Sequence, residues 1–216
     1  MRYLCLKVLT FFCMSYGAFA ADITVKVLDK NNKPLADMVV YLESKANISL
    51  PLNENIVEVG QFDRSFTPYI SVMQLGNKVN FKNKDDITHH IYSPIGENKF
   101  SYKISAGQSQ IKSDFEQAGE VAMGCNIHDW MSGYLLIVDT PIFGKTDKKG
   151  QLNLTVQHSG EYKLVVWHPQ LDALDNRFYQ QVQLSEDKTI TVKLDNKILK
   201  ISEQKNEEDF DFLSDY

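Results

Sequence analysis

The chain has 216 residues, 43% of them hydrophobic, enough for one large domain or two small ones with a real core. Its net charge of −5 and the lack of any basic stripe exclude nucleic acid as a partner. The first twenty residues, "MRYLCLKVLTFFCMSYGAFA", place Arg2 and Lys7 before an apolar run and end on Ala18-Phe19-Ala20, the pattern of a cleaved secretory signal peptide. The apolar run is short for a membrane span, and the two Phe before Cys13 do not suit a lipidation site. The expected product begins at Ala21 and is exported, to the periplasm in a bacterial setting.

Cleavage leaves 21 basic against 28 acidic side chains, a net −7, and removes Cys5 and Cys13. Cys125 then stands alone in an oxidising compartment, where cysteines ordinarily pair. It is buried and inert, bonded to another chain, or held by a metal.

The rest of the chain reads as strand after strand. "ITVKVLD" alternates, "KNNKP" turns, and "MVVYLES" alternates again. "YISVMQL", "KVNFKN", "HHIYS", "SQIKSDF", "EVAMGC" and "GYLLIVD" follow, then "QLNLTVQ", "YKLVVWH", "YQQVQL" and "TITVKL". Short punctuation by Gly, Pro, Asn and Asp, with no convincing helical period, predicts an all-β protein of sandwiches or barrels. Residues 202–216, with "EEDFDFLSDY" at the end, read as an acidic disordered tail whose aromatics could dock on a partner.

Two stretches belong together although they are far apart. "ADITVKVLDKNNKPLADMVVYLE" and "FGKTDKKGQLNLTVQHSGEYKLVVWHP" resemble the two parts of a carboxypeptidase regulatory-like domain, a small transthyretin-like sandwich. The resemblance implies a split domain over residues 21–50 and 140–197, with residues 56–139 as a second β-sandwich inserted between. Such an insertion is tolerable because loop-closure entropy grows only logarithmically with length. This framework carries no catalytic set. His158 and His168 are expected in surface loops and Trp167 in a core, and two glycosylation-like triplets start at Asn47 and Asn153.

The chemistry lies in the insert. "GCNIHDWM" spaces Cys125, His128 and Met131 by threes, and "FKNKDDITHHIYS" supplies His89 and His90 at the start of a strand. A thiolate, two imidazoles and a weak thioether form the ligand set of a blue-copper electron-transfer site. Residues 60–139 resemble the cupredoxins of the plastocyanin and amicyanin type. The likeness is carried by the G-x-x-V turn, "V-x-F-x-N", a histidine six residues after Asn83, and a short C-x2-H-x2-M loop followed by "G-x-hydrophobic-x-V". That resemblance implies one type 1 copper held by His89, Cys125, His128 and Met131, with His90 as the alternative to His89. Neighbours on a strand face opposite ways, so only one of the pair reaches a metal. It further implies that His90, standing where the family has Asn, either ties the two ligand loops together or binds metal itself. It also implies that His128 shows its ring edge at the surface as the electron port. Chains of this two-part kind are often labelled methylamine-utilisation proteins.

Trp130 and Tyr134 are expected at an apolar docking rim, and the fixed charge of Asp129 favours Cu(II). Zinc is the chemical rival, but it has no use for Met131. The functional expectation is a non-enzymatic carrier of single electrons between redox proteins, with no small-molecule substrate. A copper-delivery module, or a binding module that keeps the fold for its shape, is the alternative.

Overall fold

The computed structural model describes residues 20–46 and 51–201. The predicted signal peptide, the Asn47 triplet and the acidic tail lie outside the described residues. The described chain is all-β, with one short 3-10 turn at Leu174–Asn176.

Its strands are β1 (Ala21–Asp29), β2 (Val39–Ser44), β3 (Ile56–Phe62), β4 (Ser65–Thr67), β5 (Ile70–Gln74), β6 (Lys78–Asn83), β7 (His89–Ser93) and β8 (Phe100–Ile104). There follow β9 (Ser109–Lys112), β10 (Gly119–Cys125), β11 (Ser132–Val138), β12 (Phe143–Lys145), β13 (Gln151–Val156), β14 (Gly160–Trp167), β15 (Arg177–Leu184) and β16 (Lys188–Leu194). β3, β4, β8 and β12 are not among the segments picked out above. In β3 the alternation is broken by Gly60 and Gln61, both buried beside Val59, and β4 and β12 are only three residues long.

Four sheets result. β13-β1-β16 faces β12-β2-β14-β15, and β4-β3-β6-β9 faces β5-β11-β10-β7-β8. The first pair closes over Ile23, Val25, Val40, Leu164, Val182 and Val192, and the second over Val59, Phe81, Ile91, Val121, Leu135 and Ile137. β1 pairs antiparallel with β13 and parallel with β16, so the N-terminal strand is held between strands from the far end of the chain.

Two strands are apolar on both faces, and this explains a third core layer. In β14, Tyr162, Leu164 and Val166 face their own sandwich, while Val165 and Trp167 face outward. In β11, Leu135 and Ile137 face inward, while Leu136 and Val138 face out. Near-continuous apolar runs mark strands covered on both sides. The outward residues meet Val39, Tyr41 and Ile70, so the outer faces of the four- and five-stranded sheets pack on each other. Polar contacts fix that packing. Trp167 Nε1 donates to Glu120 at 3.2 Å, Gln170 Nε2 to the Tyr69 hydroxyl at 2.8 Å, and Lys145 Nζ to the Ile70 carbonyl at 2.9 Å.

Two expectations are corrected here. His168 is not in an exposed loop: it keeps 5% of its surface, and burial pushes its pKa down to about 4, so the neutral ring accepts the Gln170 N–H at 3.2 Å. Tyr134 is not at a docking rim. It sits on the outer face of β11, where its ring meets Tyr69 at 5.6 Å and Trp167 at 6.5 Å.

The "TDKKGQ" turn shows how locally the framework is specified. Asp147 Oδ1 accepts the N–H groups of Lys149 and Gln151, both at 2.8–2.9 Å, and Gly150 takes φ 70°. A Cβ at residue 150 would lie 2.6 Å from the Val27 carbonyl oxygen, so only glycine fits that crossing.

Candidate metal centre

β10 alternates Val121, Met123 and Cys125 into the core, and Cys125 pairs with Ile91 of β7. β7 turns His89 and Ile91 inward. The β10–β11 loop returns with a turn closed by Met131 N–H on the His128 carbonyl at 3.0 Å. These elements bring three of the predicted residues to one point. Cys125 Sγ lies 3.8 Å from His89 Nδ1 and 3.9 Å from His128 Nδ1, and the three ligand atoms lie within 4.8 Å of one another. Met131, 1% exposed, is buried in the same core cluster as Cys125.

The donor set fits an ion. S···N separations of 3.8 and 3.9 Å are short enough for one ion to reach sulfur at ~2.3 Å and nitrogen at ~2.0–2.1 Å. A thiolate, two imidazoles and a thioether are soft to borderline donors, which suit a transition metal.

Charge at the site is arranged by burial and hydrogen bonds. Burial pushes the Cys125 thiol up, but the His89 contact and the backbone N–H groups of Ile127, His128 and His90 outweigh it and hold the thiol below its usual range. Burial pushes His89 down, yet the sulfur of Cys125 and the carboxylate of Asp85 raise it above an ordinary histidine. The lowered thiol favours the thiolate form that a metal would bind.

Asp85 was not singled out from the sequence. Its Oδ2 lies 2.7 Å from His89 Nε2, while the Asp63 and Arg64 N–H groups donate to its two oxygens at 2.7 and 3.0 Å. Burial pushes the Asp85 carboxyl up, but the Arg64 N–H, the His89 ring and the Asp63 N–H outweigh it and hold it below the usual carboxylate range. The available signal was the i, i+4 spacing from His89, with a β-bend instead of a helix between them. Holding Nε2 fixes the tautomer that leaves Nδ1 free to bind. Asp85→Asn is expected to weaken metal binding by about 10–100-fold, read by competition with a chelator.

His90 does not enter the cluster. Its Nε2 lies 2.8 Å from Ser101 Oγ, and Asn126 Nδ2 donates to its Nδ1 at 3.2 Å, while the Asn126 N–H donates to the His90 carbonyl at 2.9 Å. His90 thus ties the histidine strand to the ligand loop. His128 keeps only 6% of its surface, less open than an exposed port. The Trp130 ring lies 5.3 Å from it, at 52° between planes. Beside the loop, Asp129 and Ile127 are exposed, and a 380 Å³ groove runs over Tyr92, Ala122, Gly124, Asn126 and Ser132. A Cβ on Gly124 would sit 3.1 Å from the Tyr92 ring, so a larger residue there would press on that ring.

No family model matches the chain and no curated protein matches its sequence. Solved structures similar to it include a copper-containing nitrite reductase from Thermus scotoductus SA-01, at 24% identity and a TM-score of 0.36, over 45% of this chain and 25% of that one. Amicyanin from Paracoccus versutus is similar at 18% identity and a TM-score of 0.36, over 45% of this chain and 98% of that one. A purple cupredoxin from Nitrosopumilus maritimus is similar at 19% identity and a TM-score of 0.34, over 38% of this chain and 99% of that one. This chain spans only a quarter of the nitrite reductase. Among the described residues no helix is long and apolar enough to cross a membrane.

Proposed function

We propose that the chain is an exported type 1 copper protein that passes single electrons between redox partners and catalyses no reaction of its own. The observation that carries this reading is the convergence of His89 Nδ1 and His128 Nδ1 on Cys125 Sγ at 3.8 and 3.9 Å, with Met131 buried in the same core cluster as Cys125. His89, Cys125, His128 and Met131 are the residues that would hold the copper. Bound copper would supply a one-electron couple. The chain's own residues do the rest: sulfur and thioether suit Cu(I), imidazole suits Cu(II), and the β-framework holds one geometry for both.

Around that set, Asp85 orients His89, His90 and Asn126 join the two ligand segments, and the core excludes water from sulfur. Trp130 beside His128, with the exposed Ile127, is the proposed contact for a redox partner. Zinc is disfavoured because Met131 offers it nothing. The periplasm is the proposed location, from the signal-like leader. The split arrangement, residues 21–50 and 140–197 around 56–139, is proposed as a scaffold presenting the copper domain; the pairing of β1 and β2 with strands after residue 142 supports it.

Stoichiometric Cu(II) added to the mature protein is expected to give an intense visible band that a mild reductant bleaches. A colourless protein that takes up only Cu(I) would sink the carrier reading in favour of copper delivery.

A further inference from the structure

Gln61 is fully buried, at 0% exposure, and neither its Nε2 nor its Oε1 has a hydrogen-bond partner among the described residues. A primary amide carries two donors and an acceptor, and enclosing it unpaired is costly where leucine or methionine would cost nothing. Gln61 follows Val59 by two positions on β3, which puts it on the core face with Val59.

Three ties locate it at the metal end of that core. In register it stands beside Asn83 of β6, whose Nδ2 donates to the carbonyl of Ile87, in the loop that leads to His89. On its other side it pairs with Phe66 of β4, whose Cβ lies 2.8 Å from where a Cβ on Gly133, two residues after Met131, would stand. And Asp63 and Arg64, just beyond it, donate to the carboxylate that holds His89.

Asn83, on the same face, is fully engaged: it donates also to the Ile104 carbonyl at 2.9 Å and accepts the Asp85 N–H at 3.0 Å. Gln61 is thus an idle amide beside one that is fully committed to holding the segment leading to His89. A charge brought into that low-dielectric layer interacts strongly with a neighbouring dipole.

We propose that the Gln61 amide is an outer-sphere positioning group of the metal centre, left unpaired in the metal-free protein and engaged when the centre is loaded. This rests on the copper reading above. It makes the metal-free fold tolerate an unpaired amide that metal binding then uses, so part of the affinity comes from relieving it.

The test is Gln61→Met, which keeps the length and removes the polar atoms. The metal-free variant should melt higher than wild type, while its Cu(I) affinity falls by about tenfold or more and the visible band of the Cu(II) form is displaced. Equal gains in the metal-free and loaded melting points, with affinity and band unchanged, would show a merely structural amide and overturn the proposal. Should the variant not fold, the wild-type Gln61 side-chain NH2 resonances decide. They should shift and exchange more slowly on loading with diamagnetic Cu(I), and unchanged resonances overturn the proposal. Wild type that binds no copper at all would instead bring down the copper reading itself.

Discussion

Cys125→Ser is expected to leave the protein colourless in Cu(II) and to remove the stabilisation that bound copper would confer. Thiolate is the ligand that makes the site soft, and serine's hydroxyl neither ionises near neutral pH nor bonds copper comparably. Metal held at a hundred times its dissociation constant stabilises the folded state by ~2.7 kcal/mol. For two sandwiches that melt together as one unit that is a melting shift on the order of 5–10 °C. In the variant the shift should vanish, while the metal-free melting point moves little, because Cys125 is a small side chain, 4% exposed, and the change is nearly isosteric. Calorimetry with and without copper reads both quantities. A serine variant that keeps the band and the shift would remove Cys125 from the ligand set.

Trp167→Ala is expected to cost about 3–5 kcal/mol, the usual loss for deleting a fully buried large aromatic. Trp167 is 0% exposed, lies against Tyr134, and donates its indole N–H to Glu120. It stands in the layer between the two sheet pairs and not within either core, so its loss should also uncouple them. The expected thermogram changes from one transition to two, with the copper-sensitive one belonging to residues 56–139. The visible band itself should stay where it is, since the metal cluster is built from other strands. A loss below ~1 kcal/mol, the range of surface substitutions, would mean the packing between sheets contributes little.

Much of the site was legible because its signals are local in sequence. C-x2-H-x2-M needs only one loop, and the single cysteine beyond residue 20 marks it. Strand alternation admits only one of His89 and His90, since adjacent side chains leave on opposite faces, and the family-like spacing of six from Asn83 favoured His89. The structure turns His89 inward to sulfur and His90 outward to Ser101 and Asn126. What no local pattern could give is Asp85 as the partner of His89. That contact depends on how a polar loop folds back against the β3–β4 turn, where Asp63 and Arg64 hold the carboxylate.

The same divide runs through the fold. Alternation of apolar and polar side chains by itself determined that this is an all-β protein, because a period of two is a property of each strand alone. The apolar runs "LLIV" and "LVVW" belong to strands covered on both faces. Which surface covers them was decided only by tertiary structure, because sheet-on-sheet contact joins residues far apart in the chain, as Tyr134 and Trp167 show. His168 and Tyr134 were misplaced for that reason, and Gln61 went unnoticed: burial is set by what packs on a residue from elsewhere, and a sequence read strand by strand does not contain it.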